Sequence, residues 1–240
     1  MYHLTADYHT HSTMSDGKST MEENVLSALG SGLAEIGLTD HAPGHLLYGV
    51  RDIHAYLTEI NRLKEKYAGQ IKIRAGIECN LTGLAGEIDM PRGKESAFDL
   101  LIVGFHKGAR SADFASFWSY YVRRTFSHNG PRIRAQATDA YIALLAKGGV
   151  DILAHPGYAI GVDIAAVAEA CRLAGTLFEL NVRHKEINAA FIECAAKTGV
   201  KFVISSDAHR AEKIARAENV LQKALAAGLS EKEIVNIKKE

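Results

Sequence analysis

Short apolar stretches rich in branched residues alternate with longer amphipathic stretches along almost the whole chain. The apolar stretches predict β-strands near residues 4–9, 34–39, 71–77, 99–105, 150–154, 176–181 and 202–206. The amphipathic stretches predict helices near residues 20–31, 52–67, 132–148, 163–174, 188–198 and 210–227. Apolar strands separated by helices are typical of a parallel sheet covered by helices, which indicates an α/β protein.

The strand–helix units follow one another without a linker, so we predict a single domain over residues 1–240. Seven such units in a chain of 240 residues favour a closed or nearly closed barrel of parallel strands. An open, doubly wound sheet is the alternative. Residues 106–130 lack clear strand character and are rich in aromatic and basic residues, which predicts a partly helical insertion.

Several helix ends carry local signals. The segment from Ser19 to Glu22 has the form of a capping box that opens the first helix. A second box begins at Ser230 and predicts a last helix. Pro131 has the fixed φ of a helix start, and Gly148 is expected to end that helix.

A histidine, carboxylate or asparagine follows every predicted strand at its C-terminal end. In chain order these residues are Asp7, His9, His11, Asp40, His41, Glu78, His106, His155, Glu179, Asn181, Asp207 and His209. The C-terminal ends of parallel barrel strands share one rim, so these side chains are expected to share one pocket. Burying them unpaired would be costly, and divalent metal ions are their natural partners. Mixed imidazole and carboxylate sets favour Zn, Mn or Fe over Mg or Ca.

Composition narrows the functional classes. Hydrophobic residues make up 47% and charged residues 23%, as in ordinary globular proteins. Lys and Arg number 28, as do Asp and Glu, so the chain lacks the basic excess of a protein that coats nucleic acid. The three cysteines are too few for a disulfide framework, and we find no signal peptide and no apolar run of about 18 residues. We therefore expect a cytoplasmic protein without membrane contact, and the composition does not indicate an oligomeric state.

Four of the strand-end segments resemble motifs of the polymerase and histidinol phosphatase (PHP) family. The segment from Asp7 to Ser12 is similar to the first motif, and Thr39-Asp40-His41 is similar to the second. Ala154-His155-Pro156 resembles the third, and the segment from Ser206 to His209 resembles the fourth. The order and spacing of the four motifs make the resemblance specific. A His-x-His pair alone would not identify the family.

The resemblance implies a distorted (β/α)7 barrel that holds three divalent metal ions at its C-terminal rim. For the first ion it implies the ligands His9, His11, Glu78 and Asp207. For the second ion it implies a bridging Glu78 together with His106 and His155. For the third ion it implies His41, His209 and Asp16. Some family members have His at the position of Asp16 and others have Asp, and a plain Ser-Asp-Gly turn is the alternative for that residue.

Clustered divalent ions predict phosphoester hydrolysis, because they lower the pKa of water and offset the charge of the phosphoryl group. We therefore predict a metal-dependent phosphoric monoester hydrolase, in which metal-activated hydroxide attacks a small phosphorylated metabolite. His9 and Asp207 are the predicted catalytic residues, and Arg183 is the predicted cationic contact to phosphate. His45 and His184 follow rim segments and are candidates for lining the mouth of the pocket.

The roles of three further residues stay open. Asp7 and Asp40 flank predicted ligands, so they either orient imidazole N–H groups or accept backbone hydrogen bonds at strand ends. Asn181 is a candidate substrate contact, because no charged ligand is predicted at the end of its strand.

The substrate class stays open at this point. The segment from Thr39 to Pro43 looks like histidinol phosphate phosphatases, which makes L-histidinol phosphate the most specific prediction. Asp rather than His at position 16 is more like general phosphoesterase members. A nuclease or nucleotide phosphoesterase with the same trinuclear site is the alternative, because the aromatic and basic segment 114–124 has residues that stack bases. A purely structural role for the metals is a third interpretation, although open coordination positions argue against it.

Overall fold

The computed structural model describes residues 2–90, 93–123 and 130–239, so residues 124–129 of the predicted insertion lie outside the described residues. The strands are β1 Tyr2–Leu4, β2 Ala6–Asp7, β3 Glu35–Leu38, β4 Lys72–Asn80, β5 Leu100–Gly104, β6 Ile152–Leu153, β7 Leu177–Asn181, β8 Phe202–Ser205 and β9 Ile237–Lys239. The α-helices are α1 Met21–Gly30, α2 Ile53–Lys66, α3 Phe114–Phe117, α4 Pro131–Ala146, α5 Ile164–Ala174, α6 Ala189–Ala196 and α7 Glu218–Ala226. Short 3₁₀ helices span Glu95–Ala97 and Ala211–Lys213, and a π-helical stretch, Trp118–Arg123, follows α3.

The central sheet contains seven parallel strands in the order β2 to β8, so each strand pairs with its neighbours in the chain. Beyond the ends of β2 and β8, Thr10 forms a parallel bridge with Ala208, and the His11 N–H donates to the Ala208 carbonyl over 2.8 Å. The sheet therefore curls into a nearly closed barrel. The predicted (β/α)7 barrel is confirmed, and the open, doubly wound alternative is wrong.

A buried asparagine completes the closure between β2 and β8. The Asn236 amide nitrogen donates to the carbonyl oxygens of Ala6 and Ile204, over 2.8 and 2.7 Å. The Asn236 amide oxygen accepts the Ile204 N–H over 3.0 Å. The amide thus satisfies backbone groups that would otherwise be buried without partners at the seam of the barrel.

The segment around Asn236 also corrects the prediction of a last helix. Glu233 accepts the Ser230 N–H, as in a capping box, but the Glu233 N–H donates to the Ser230 carbonyl, and the segment forms only a turn. The Val235 N–H then donates to the Phe202 carbonyl over 2.9 Å, and β9 pairs antiparallel with β1. Pairing with existing strands satisfies the backbone as fully as a helix would and also joins the two ends of the chain.

Two other helix starts differ from their predictions. The capping box of α1 lies one residue later, because Thr20 rather than Ser19 accepts the N–H at the third helical position. The helix predicted from residue 210 begins only at Glu218. Ala215 has a left-handed φ of 61° and donates its N–H to Asp7, which prevents a continuous helix there. By contrast, Pro131 begins α4 as predicted.

The hydrophobic core consists of two apolar clusters, and one of them lies inside the barrel below the rim. The larger cluster lies between the strands and the surrounding helices. The smaller cluster consists of Leu100, Ile102, Ile152, Ala154 and Val203. By strand alternation, these five side chains share the strand face of Glu78 and Asp207, which is the barrel interior. The polar rim therefore sits directly above an apolar floor.

Within the described residues, none of the helices combines the length and the apolar character that crossing a bilayer requires. The single domain over residues 1–240, with its insertion near 106–130, stays a prediction.

Candidate metal centre and active site

A single buried carboxylate forms the middle of the polar cluster at the C-terminal rim. Glu78, on β4, is fully buried, and five imidazoles converge on it. The distances to its Oε1 are 3.1 Å from His155 Nε2, 3.3 Å from His9 Nε2 and 3.6 Å from His106 Nε2. The distances to its Oε2 are 2.9 Å from His41 Nδ1 and 3.6 Å from His11 Nε2. The structure therefore brings together side chains from five different strand ends.

Two further carboxylates complete the cluster. Asp207 Oδ1 lies 3.5 Å from His11 Nε2 and 3.4 Å from His209 Nδ1. Asp16, in the loop after β2, lies 3.1 Å from His209 Nε2 and 3.7 Å from His41 Nε2. All nine predicted metal-ligand residues therefore lie in one connected group.

The electrostatics of the cluster follow from burial and from these contacts. Burial raises the pKa of Glu78, but the imidazoles of His106, His9 and His41 outweigh it and hold that pKa well below its usual value. Burial lowers the pKa of His9, but the carboxylates of Glu78, Glu179 and Asp207 raise it well above its usual value. A metal ion requires a neutral imidazole, so an ion that binds His9 must displace a proton.

Four sets of donor atoms lie within 4.8 Å of one another among the described residues. The sets are His11, Asp16, His41 and His209; His9, His11 and Asp207; His41, Glu78 and His106; and His155, His184 and Asp207. The first set contains the three ligands predicted for the third ion and adds His11. The second set contains the ligands predicted for the first ion except Glu78. The other two sets differ from the prediction, because His41 joins Glu78 and His106, and His184 replaces Glu78 beside His155.

The residues fit bound cations on an independent criterion, which is the state of their buried polar atoms. His9 Nε2, both ring nitrogens of His11, His41 Nδ1 and Glu78 Oε2 make no well-directed hydrogen bond among the described residues, although His41 Nδ1 and Glu78 Oε2 lie only 2.9 Å apart. Buried polar atoms without partners cost free energy, so such atoms indicate a missing ligand. Nitrogen and carboxylate donors are the ligands that Zn, Mn and Fe accept.

Backbone strain accompanies this cluster. His155 and Asp207 both have left-handed backbone conformations, with φ of 31° and 51°. Such conformations cost free energy in residues other than glycine and concentrate at functional sites. Gly104 contributes differently, because a Cβ at that position would lie 2.5 Å from the His155 ring. Glycine at 104 therefore leaves the space that His155 occupies.

The sequence reasoning missed the role of Glu179 as an orienting carboxylate. Glu179 Oε1 lies 2.8 Å from His9 Nδ1, and Glu179 Oε2 accepts the His155 N–H over 2.8 Å. A carboxylate on Nδ1 fixes the ring orientation and leaves Nε2 to bind a ligand. The available signal was the position of Glu179 two residues before Asn181, which places both residues on one strand face.

A relay of three residues orients His106 in the same way. Asp89 accepts hydrogen bonds from the Asn80 N–H and from the Asn80 amide nitrogen, over 2.7 and 2.6 Å. The amide oxygen of Asn80 therefore faces His106 Nδ1, 2.7 Å away. Since an amide oxygen only accepts, His106 carries its proton on Nδ1, and Nε2 points its lone pair toward Glu78.

Replacing Asn80 by Ala is expected to weaken metal binding by about 10- to 100-fold, because His106 loses the group that fixes its ring. The measurement is a titration of chelator-treated protein with Zn²⁺. Asn61→Ala, an exposed substitution on α2, is the matched control and should leave the affinity unchanged. An unchanged affinity in a folded Asn80→Ala variant would contradict the relay.

The contacts of Asp7, Asp40 and Asn181 show what each of these residues binds. Asp7 accepts the N–H groups of Ser206 and Ala215, so it binds backbone rather than imidazole. Asp40 accepts the Ser12 N–H over 2.7 Å, and therefore also holds backbone. Asn181 is fully buried, and its amide nitrogen donates to Glu179 and Asp207. Asn181 therefore lies beneath the cavity, where it links two carboxylates, and not on the cavity wall.

A cavity of about 200 Å³ opens above the cluster. Arg183, His45 and His184 line it together with Lys107 and two tyrosines, Tyr48 and Tyr158. Arg183 Nη1 lies 3.1 Å from Asp207 Oδ1, and 49% of the Arg183 side chain is exposed. The His184 ring lies against Tyr158, with 3.8 Å between the ring centroids. The cavity thus combines cationic donors with aromatic walls above the cluster of imidazoles and carboxylates.

Burial and the neighbouring His41 lower the pKa of His45 to about 4, so His45 is neutral at pH 7. The Tyr48 N–H donates to His45 Nδ1 over 3.2 Å. His45 is therefore a neutral wall of the cavity, and the positive charge on the wall comes from Arg183 and Lys107.

Comparisons with known proteins agree with this arrangement. A family model of the PHP domain matches residues 7–209. The chain is 31% identical to a probable phosphatase of Thermoanaerobacter sp., over 97% of this chain and 90% of that protein. It is 28% identical to a probable phosphatase of Aliivibrio fischeri, over 97% of this chain and 89% of that protein.

The fold is similar to a crystal structure of histidinol phosphate phosphatase from Lactococcus lactis, complexed with zinc, L-histidinol and phosphate. The TM-score is 0.66 at 19% sequence identity, and the match covers 98% of this chain and 99% of that chain.

Proposed function

Because this chain belongs to the PHP family, we propose that it hydrolyses a phosphomonoester of a small metabolite with the aid of three divalent metal ions. The predicted family and the predicted enzyme class, a phosphatase, are confirmed. The observation that supports the metal-dependent mechanism is the convergence of five imidazoles on Glu78 beneath a cavity with a cationic wall.

The proposed ligands are the nine predicted ones, namely His9, His11, Asp16, His41, Glu78, His106, His155, Asp207 and His209. His184 is a tenth candidate, because its Nε2 lies 3.5 Å from Asp207 Oδ2. Bound Zn, Mn or Fe ions would supply water activated at neutral pH and charge neutralisation for the phosphoryl group. His9 and Asp207 are the proposed catalytic residues among these ligands.

Residues on the cavity wall and beneath it would bind the phosphate and hold the proposed ligands in place. Arg183 presents a guanidinium that is fixed by Asp207 and half-exposed to the cavity, so it is placed to donate hydrogen bonds to phosphate oxygens. Glu179 holds the His9 ring in place, and Asn181 fixes Glu179 and Asp207 relative to each other. Placement by buried contacts of this kind keeps the reacting groups aligned without reorganisation.

The size of the cavity favours a small metabolite over nucleic acid. A volume of about 200 Å³ suits a compound of a few carbon atoms and one phosphate. The exposed aromatic residues of the predicted insertion, Phe114, Phe117 and Trp118, are absent from the cavity lining. Base stacking on those residues would therefore occur away from the proposed metals, which disfavours the nuclease alternative.

The test is a panel of phosphoesters assayed with the bound metal measured alongside. The panel contains L-histidinol phosphate, sugar phosphates and a single-stranded oligonucleotide at two salt concentrations. We expect phosphate release from small monoesters, and loss of that activity in His9→Ala and Asp207→Ala variants that remain folded. Failure of the metal-loaded protein to hydrolyse any monoester would overturn the proposal. Shortening of the oligonucleotide with a steep salt dependence would favour the nuclease alternative.

A further inference from the structure

A second cavity of about 250 Å³ adjoins the first one on the rim. The two cavities share Arg183, Asp207 and His209 as lining residues. The rest of the second cavity includes three cations from the segment between β8 and α7, namely Arg210, Lys213 and Arg216. The proposed catalytic site thus continues into a neighbouring basic space.

The charge of this second cavity departs from that of the whole chain. Four cationic side chains line it against one carboxylate, that of Asp207, whereas the chain has a formal net charge of zero. Asp207 is already engaged with the imidazole cluster and with Arg183. In the parts of the chain that the structure describes, no carboxylate pairs with Arg210, Lys213 or Arg216. Cations that converge without a counter-charge attract an anion.

The segment that carries the three cations is held in place by hydrogen bonds. The Lys213 N–H donates to the Arg210 carbonyl, and the Arg216 N–H donates to the Lys213 carbonyl, over 2.9 and 3.2 Å. These successive turns place a cation at every third residue. Ser19 accepts the Ala211 N–H, and Asp7 accepts the Ala215 N–H, each over 3.0 Å. The cations therefore project from an anchored backbone, which reduces the entropic cost of binding an anion.

We propose that this second cavity binds a second phosphate group of the substrate, so that the protein acts on metabolites that carry two phosphates. The inference rests on the proposed function, since it takes the first cavity as the site of hydrolysis. Guanidinium groups pair with phosphate through two parallel hydrogen bonds, and several of them together favour a dianion over a single carboxylate. Arg183, on the wall between the cavities, contacts both phosphates. L-histidinol phosphate is disfavoured, because its amino group adds a positive charge near a basic cavity.

The test compares matched esters with the variant Arg210→Gln/Arg216→Gln. For the wild type, we expect kcat/KM for fructose 1,6-bisphosphate to exceed that for fructose 6-phosphate by at least tenfold. The double variant should reduce this ratio to near one. A third comparison, 3-phosphoglycerate against glycerol 3-phosphate, reports whether a carboxylate serves as the second anion, and a preference there equal to the bisphosphate preference would overturn the assignment to phosphate. Lys197→Gln, which removes one positive charge at the opposite end of the barrel after α6, is the control for charge removal away from the cavity and should change neither ratio.

A binding measurement separates this inference from the proposed function. Calorimetry with inorganic phosphate on chelator-treated protein needs no turnover and no metal. We expect the affinity to fall at least tenfold in Arg210→Gln/Arg216→Gln and to stay unchanged in Lys197→Gln. If no ester is hydrolysed but this fall is seen, the proposed function fails and the anion subsite stands. An unchanged phosphate affinity in the double variant overturns the subsite, whatever the enzyme hydrolyses.

Discussion

Replacing Glu78 by Gln is expected to lower kcat/KM by at least about 10³-fold, which corresponds to about 4 kcal/mol of transition-state stabilisation. Among the described residues, Glu78 is the one carboxylate within 3.6 Å of His155, His9, His106, His41 and His11 together. Gln keeps the volume of the side chain but removes its negative charge. It also replaces one carboxylate oxygen by an amide NH2 group, which cannot bind a cation, so only one oxygen remains as a ligand.

We expect Glu78→Gln to contain less bound metal as well as to turn over more slowly. Since the family resemblance implies that Glu78 would bridge two of the proposed ions, we expect its loss to release at least one ion per chain, as measured by elemental analysis. Glu193→Gln, on the exposed face of α6, removes the same charge far from the rim and should keep full activity and full metal content. A folded Glu78→Gln enzyme with more than a tenth of wild-type kcat/KM would contradict the bridging role of this carboxylate.

The sequence predicts the barrel and its polar rim because both depend on local patterns. Strand positions follow from apolar periodicity, and parallel strands then force their ends to one rim. His9, His41 and His106 could thus be placed together without any knowledge of their contacts. The family resemblance added the assignment of particular ions, and the donor groups in the structure divide His41 and His155 differently.

What the sequence could not show are contacts between distant residues that have no local signature. Glu179 orients His9 across 170 positions, and Asn236 joins Ala6 to Ile204 across the barrel seam. Each contact depends on the final closure of the barrel. The segment beginning at Ser230 shows the opposite case. Its sequence predicts a helix start, and Glu233 does accept the Ser230 N–H, but pairing with existing strands replaces the helix.

The strained backbone at the site is a further feature that the sequence could not show. Nothing in the sequence marks His155 or Asp207 as left-handed, although Asp and His adopt this conformation more readily than most residues other than glycine. The strain is maintained by tertiary contacts, such as the hydrogen bond from the His155 N–H to Glu179. Both strained residues are proposed ligands, and buried contacts offset the cost of their conformations. This supports a functional origin for the strain.

Removing the metal ions is expected to abolish activity and to lower Tm by on the order of 10 °C. An ion at about 1,000 times its Kd stabilises the folded state by about 4 kcal/mol, and each kcal/mol shifts Tm by about 2–4 °C in a chain of this size. The structural reason is the set of buried ring nitrogens on His9, His11 and His41 that make no well-directed hydrogen bond among the described residues. Calorimetry before and after chelation gives the Tm change.

Restoring the ions distinguishes the proposed metals and their role. Zn, Mn or Fe should recover Tm and activity together, with three ions bound per chain, whereas Ca²⁺ should recover neither because it prefers all-oxygen shells. Recovery should weaken as the pH falls, because the carboxylates around His9 and His41 outweigh burial and raise the pKa of both rings, and each must lose a proton to bind an ion. A chelated protein with a lower Tm but full activity would assign the ions a structural role only.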